Sequence, residues 1–261
     1  MDLNLNGKRA VVCGATQGIG RAAAVELARL GAHVVLFARD VDKLRTLVKE
    51  LPRAGTQQHE YLVGDFNMPD NIKLTADIYA QGNPVHILVN NTGGPPAGPA
   101  FSARAFEFVN AFQAHLICNH YLVQAFVPAM KKEKYGRIIN VISTSVKSPI
   151  AGLGVSNTVR GAVANWAKTI AGELGPFGIT VNNVLPGATM TGRLESIIKN
   201  KAKTSGKSEE EIVKDMLTEI PAGRIGEPGE VAAAIAFLAT PAAAYINGVN
   251  VPVDGGRTTN L

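Results

Sequence analysis

The sequence predicts a doubly wound α/β domain, a parallel sheet of about seven strands with helices on both faces. Three observations carry this expectation. Short β-branched runs alternate with long amphipathic segments through roughly the first 185 residues. The strand-like runs are apolar almost without interruption, as strands covered on both faces must be. A glycine-rich turn, Gly14 to Gly20, stands between the first strand and the first helix. Such alternation implies parallel pairing through right-handed crossovers. At 261 residues the chain can bury about three quarters of its unfolded surface in one core.

The first strand is expected over Lys8–Cys13 and the first helix over about 19–30. A second strand, Ala32–Phe37, leads to a helix near 41–50, and a third, Glu60–Val63, to one near 69–80. His86–Val89 precedes a long helix near 101–131. Arg137–Ile142, a helix near 156–175 and Thr180–Val184 follow, then a helix at Val231–Ala239 and a closing strand at Val249–Val253. No Pro/Ser-rich linker, low-complexity tract or strong internal repeat divides the chain, so residues 1–261 read as a single domain. The segment from about 188 to 226 breaks the rhythm. It begins GATMTG, passes a Lys-rich stretch and restarts as a helix at Ser208–Glu211, where Ser and Glu have capping-box spacing. So long a connection inside a compact domain reads as a substrate flap, with a structural excursion as the alternative.

Composition narrows the function classes. An apolar fraction of 46% argues against disorder, and 27 Gly without a triplet period exclude collagen. The two cysteines, Cys13 and Cys118, have neither paired-thiol nor zinc spacing, which points to a reducing, cytoplasmic setting. The start, MDLNLNGKRA, does not read as a signal peptide. The longest apolar stretch, near Val231–Ala239, is too short to span a bilayer, so no membrane association is expected. Basic residues exceed acidic ones by five, and two clusters stand out: Lys131, Lys132, Lys134 and Arg137, then Lys199, Lys201, Lys203 and Lys207. No aromatic residues interleave with them, so they read as solvated helix ends and a solvated flap rather than as a nucleic-acid surface.

The glycine turn carries the first functional signal. In Gly14-Ala-Thr16-Gln17-Gly18-Ile19-Gly20 the backbone can approach a pyrophosphate closely, and the amides and positive end of the following helix face its charge. The spacing is GxxxGxG, and its context between the first strand and the first helix gives it weight. The second strand ends at Phe37-Ala38-Arg39-Asp40. An acid at that tip would hydrogen-bond the ribose diol of NAD; Ala38 supplies none, and Arg39 suits a 2′-phosphate, so NADP is favoured over NAD. Asp40 reads as the cap of the next helix.

Together with Gly64-Asp65, Asn90-Asn-Thr-Gly93, Gly136-Arg-Ile-Ile-Asn140, Pro186-Gly187, Arg224-Ile-Gly-Glu-Pro-Gly-Glu-Val-Ala232 and Val253-Asp-Gly-Gly256, this series resembles the short-chain dehydrogenase/reductase family, whose domain is Rossmann-like. The chain is most similar within it to 3-oxoacyl-(acyl-carrier-protein) reductases. The resemblance covers essentially the whole chain and is more specific to the fold than to the substrate. It implies that Asp65 contacts the adenine through its carboxylate and Phe66 through its backbone. Asn90 and Gly93 would line the adenine-ribose side, although Asn90 and Asn91 also suit ties between strands. Pro186 and Gly187 would lie along the nicotinamide, with Thr189 and Thr191 reaching its carboxamide and the diphosphate. It further implies a small-molecule or acyl-thioester substrate and a homotetramer or homodimer, for which Phe106–Phe112 and Val163–Ile170 are apolar enough. Thr92 to Pro99 reads as a stiff pocket wall, since Pro fixes φ.

The chemistry that the resemblance implies is carbonyl reduction by a Ser-Tyr-Lys set with an Asn on the central helix. Ser143 matches the Ser. Thirteen residues on, in the Tyr position, stands Ser156, and four beyond it, in the Lys position, Arg160. Counting back 28 residues from Ser143 gives His115 in the Asn position, with Asn110 as the rival. Three of four catalytic positions thus depart from the family. A Ser hydroxyl is shorter and far less acidic than a phenol. Arg160 is permanently charged, suited to holding the nicotinamide ribose and stabilising an oxyanion but not to relaying protons. His115, with an ordinary pKa near 6.5, is a candidate proton donor at neutral pH or else a packed residue; His120 reads as structural. Two readings remain open: an NADP-dependent reductase with a rebuilt proton path, or an NADP-binding, catalytically silent sensor or partner subunit. Non-redox chemistry on the same scaffold is a weaker third.

Overall fold

The computed structural model describes residues 1–260. Seven parallel strands form one sheet in the order β3-β2-β1-β4-β5-β6-β7. They are β1 (Arg9–Cys13), β2 (His33–Ala38), β3 (Glu60–Val63), β4 (Ile87–Asn90), β5 (Gly136–Val141), β6 (Ile179–Pro186) and β7 (Asn250–Val253). The order reverses between β1 and β4, which opens a crevice at their carboxyl ends, the place where sheets of this type bind ligands. The predicted fold class is the observed one.

Alternate residues of each strand feed opposite layers, as the period of two requires. Ala10 and Val12 pack with Leu27 of α1 (Gly18–Arg29), Leu44 of α2 (Val41–Glu50) and Ile235 of α9 (Pro228–Ala239). Val11 and Cys13 pack with Ile72 of α3 (Pro69–Ala80), Phe126 of α5 (Cys118–Glu133) and Ala167 of α6 (Gly154–Leu174). Each such fully buried aliphatic or aromatic side chain stabilises the fold by about 1.5–3 kcal/mol relative to exposure. Cys13 and Cys118 are free and buried.

Polar residues also run through the sheet in register. Asn90 Nδ2 donates to Asn140 Oδ1 at 2.8 Å, Asn140 Nδ2 to Asn183 Oδ1 at 3.0 Å, and Asn183 Nδ2 to Asn250 Oδ1 at 2.8 Å. These four residues are paired rung by rung across β4 to β7. Each link satisfies one donor and one acceptor, and Asn90 Oδ1 at the β4 end of the row is left buried without a partner.

Three sequence expectations need correction. The long central helix is broken: α4 (Ala105–Phe112) passes through a π-helical turn, Gln113–Ile117, into α5. The Lys-rich part of the flap is itself helical, as α7 (Gly192–Ser205), followed by α8 (Glu209–Thr218). Leu194, Ile198, Ile212 and Met216 bury their side chains between these two helices, so the excursion has a small core of its own. The predicted capping box is present, Ser208 Oγ accepting from Glu211 N at 3.2 Å and Glu211 Oε2 from Ser208 N at 2.8 Å. Lastly, Arg137 is buried rather than solvated. Its guanidinium donates to the carbonyls of Gly136 at 2.8 Å and of Gly178 and Thr240 at 3.3 Å, and stacks on Tyr135.

Candidate active site

Backbone geometry builds the nucleotide side of the crevice. Gly14 and Gly18 have φ of +58° and +54°, the left-handed region that glycine adopts without strain. A Cβ on Gly14 would strike the Asn91 carbonyl, and one on Gly20 would lie 2.7 Å from Asn91 Nδ2. Asn91 in turn donates to the Cys13 carbonyl at 3.2 Å, clamping the end of β4 to the end of β1. Gln17 precedes α1 without a side-chain cap, and the first turn of α1 holds no acidic residue. The amides and positive dipole end of α1 are therefore open to an anion. Ile19 packs into the core below, and Thr16 completes the turn. A Cβ on Gly18 would stand 3.1 Å from Thr191 Cγ2, so the start of α7 closes over this cradle.

At the tip of β2 the Arg39 side chain is 74% exposed, its Nη1 4.0 Å from Asp65 Oδ2. Asp40 caps α2, accepting from Lys43 N at 3.1 Å, as its position predicts. Asp65 Oδ1 accepts from the backbone and side chain of Asn67, which leaves Oδ2 towards Arg39. Phe66 stacks against Phe37, and its carbonyl accepts from Cys118 Sγ at 3.4 Å. Gly93 has open space around its Cα. Asn90 is different: its side chain is buried in the asparagine ladder, where it ties β4 to β5.

Pro186 ends β6, and a Cβ on Gly187 would stand 2.6 Å from Asp254 Cβ, so only glycine lets the two segments meet. Thr189 is buried, its hydroxyl donating to the Gly187 carbonyl at 3.2 Å. Thr191 caps α7, accepting from Leu194 N at 3.4 Å. A nicotinamide dinucleotide fits these residues: a glycine turn without room for side chains, an uncapped helix end, and an exposed guanidinium at the tip of β2.

Side chains build the far side. Ser143 lies two residues beyond β5 and caps a short turn, its Oγ accepting from Ser145 N at 3.1 Å. Ser156 and Arg160 stand one turn apart on α6, both buried. Arg160 Nη1 donates to the Val141 carbonyl at 2.9 Å, which anchors the guanidinium at the end of β5. Burial, reinforced by Arg193, pulls its pKa down to about 10, and it remains a cation at neutral pH. His115 sits in the π-helical turn, 2% exposed, with Nδ1 2.5 Å from Thr92 Oγ1. The rival Asn110 faces solvent on α4. His120 makes an edge contact with Trp166, in keeping with a structural role.

The surroundings of His115 disfavour its charged form. Burial, together with the charges of Arg160 and Arg193, holds its pKa well below 6.5. The imidazole is neutral at neutral pH and is not an imidazolium acid there. The sequence placed Thr92 only in the pocket wall and did not single out Arg193. Thr92 fixes the His115 ring, and Arg193, in the first turn of α7, donates from Nη2 to the Pro95 carbonyl at 2.5 Å. Arg193 did carry a signal, since a cation in the first turn of a helix opposes the macrodipole. All five tyrosines stand elsewhere: Tyr61 beside Arg45, Tyr79 beside Glu60, Tyr121 under Lys73, Tyr135 on Ala239, and Tyr245 fully exposed.

Known proteins share this architecture. A family model described as enoyl-(acyl carrier protein) reductase matches residues 14–258. The chain is 32% identical over 254 residues to 3-oxoacyl-(acyl-carrier-protein) reductase of Vibrio cholerae serotype O1, covering 97% of this chain and 98% of that protein. It is 30% identical over 261 residues to 7alpha-hydroxysteroid dehydrogenase of Escherichia coli K12, covering 100% of this chain and 98% of the relative. The crystal structure of L-sorbose reductase from Gluconobacter frateurii, complexed with NADPH and L-sorbose, superposes with a TM-score of 0.92 at 28% identity over all of both chains. Matched along nearly its whole length, the chain belongs to the short-chain dehydrogenase/reductase family of oxidoreductases.

Proposed function

We propose that the protein is an NADPH-dependent carbonyl reductase with a rebuilt proton path. The observation that carries this reading is Arg160, a buried guanidinium locked by the Val141 carbonyl one helical turn from Ser156, its charge acting on His115. A fixed cation in a desolvated site stabilises developing oxyanion charge without reorganising, and one such donor is worth about 100- to 1000-fold in rate. Gly14, Thr16, Gln17, Gly18, Ile19 and Gly20 hold the diphosphate through the turn and the start of α1. Arg39 takes the 2′-phosphate, Asp65 and Phe66 flank the adenine, and Gly93 lies along the ribose. Pro186, Gly187, Thr189 and Thr191 border the nicotinamide, and Arg160 also reaches its ribose. The bound cofactor supplies a hydride to the substrate carbonyl carbon.

Ser143 and Ser156 orient the carbonyl oxygen by hydroxyl donation. Arg160 neutralises the alkoxide as it forms. With the Thr92 hydroxyl donating to Nδ1, the neutral His115 ring carries its proton on Nε2 and holds the water that protonates the alkoxide, releasing hydroxide to solvent. The family resemblance puts a 3-oxoacyl thioester first among candidate substrates. Titrating NADPH and assaying its oxidation with a panel of oxoacyl thioesters, ketones and oxo acids tests the reading. Turnover that falls on Arg160→Met supports it, whereas tight NADPH binding with no turnover across the panel sinks it.

The lack of any tyrosine in the cluster favours a second reading, a cofactor-binding but catalytically silent subunit. Replacing Ser156 by Tyr and Arg160 by Lys together separates the two, since a rise in activity would locate the missing step at the proton. Phe106, Val109 and Phe112 are half-exposed along α4 and supply the apolar surface for a homodimer or homotetramer. No described helix is long and apolar enough to cross a membrane, and the two buried free thiols suit a cytoplasmic setting.

A further inference from the structure

Arg193 has no part in the reaction above, yet it is placed at some cost. It stands in the first turn of α7, where the helix dipole disfavours a cation. It is partly withdrawn from water, and burial lowers its pKa. Its positive charge reaches both His115 and Arg160, which burial already penalises. A Cβ on Gly94 would lie 3.3 Å from Arg193 Nε, so the side chain runs along the wall formed by residues 92–99. Among the described residues neither Arg160 nor Arg193 pairs with a carboxylate; every described ion pair is made by other groups. Each guanidinium carries several N–H donors, and the described hydrogen bonds use one of each, to Val141 and to Pro95.

A neutral donor would hold the Pro95 carbonyl equally well and avoid the repulsion, so a clip between flap and wall does not account for a second cation here. An anion does. A carboxylate matches the planar fork of a guanidinium and would neutralise the excess charge on the cleft. We propose that Arg193 binds a carboxylate of the substrate, so that the compound reduced is an oxo acid rather than a neutral ketone or thioester. This rests on the reductase reading for the word substrate, while the anion site is testable without turnover. Arg160 then serves the carbonyl oxygen and Arg193 the acid.

The probes are oxamate and malonamate, unreactive isosteres of a 2-oxo and a 3-oxo acid, with their methyl esters as neutral counterparts. Calorimetric titration into the NADPH-loaded full-length protein is expected to show at least one acid binding about tenfold or more tightly than its ester. Arg193→Gln should remove that preference, leaving the ester's affinity, the NADPH dissociation constant and the melting temperature unchanged. Equal binding of acids and esters overturns the proposal. So does an Arg193→Gln variant that keeps the preference, that loses acid and ester alike, or that loses NADPH instead. Oxamate or malonamate binding without turnover of any oxo acid would leave the anion site standing and sink the reductase reading. Reduction of neutral carbonyls with no acid preference would do the reverse.

Discussion

On the β1–β2 side of the crevice, recognition rests on backbone: two glycines at positive φ, a third pressed against Asn91, and an uncapped helix end. On the β5–α6 side it rests on individual side chains: Ser143, Arg160 and His115, each held by a single anchor at Ser145, Val141 and Thr92, and Ser156, buried on α6. Backbone sites tolerate little change, because a methyl group in the wrong place blocks the ligand. Side-chain sites can be rebuilt one residue at a time, because the scaffold only has to hold a group at the right spot. That difference means that the glycine turn has to keep its pattern, while single side chains across from it are free to vary.

Gly14→Val should show the largest effect. The left-handed φ would add about 1–2 kcal/mol of strain, and the new side chain would meet the Asn91 carbonyl. NADPH affinity by fluorescence titration should fall about 100-fold or more, and a mild effect would break the contrast between the two sides. Arg160→Met comes next, with two effects of opposite sign. Catalysis should fall about 100-fold, while the melting temperature stays level or rises, since an unpaired buried charge gives way to apolar packing. A large drop in stability would show the guanidinium to be structural.

A smaller effect is expected from Arg39→Ala. The side chain is exposed, so its contribution is screened. NADPH affinity should fall about five- to tenfold with NADH affinity unchanged, and the difference should shrink in high salt. The smallest concerns acid stability. His59, His86 and His115 all have folded-state pKa values below 6.5, burial being the leading cause in each. The unfolded chain takes up protons near pH 6.5 and the folded chain does not, so stability is full above that pH and declines as the pH falls below it. Urea melts at pH 7.5 and 5.5 should show this decline, and His115→Gln should reduce it. An unchanged slope would mean that His115 is protonated in the fold.

Much of this was legible in the chain. The alternation of strand and helix, the Gly14–Gly20 turn and the Asp40 cap are local patterns, and local patterns survive translation into structure. Ser156 and Arg160 were equally readable as a pair one turn apart, because a fixed spacing on one helix brings them together. The asparagine ladder was visible only as scattered residues, since register alone puts Asn90, Asn140, Asn183 and Asn250 side by side. Arg137 read as solvated because nothing in the sequence shows Gly136, Gly178 and Thr240 converging on it.

The sequence by itself determined the sheet, the glycine turn between β1 and α1, and the family. Each depends on residue type and spacing within a few turns of chain. Only the tertiary structure decided that burial disfavours a charged His115, that Asn90 links to Asn140, and that Arg193 runs along the wall at Gly94. Those properties depend on burial and on charges brought in from other elements, which are set by packing rather than by neighbours in sequence.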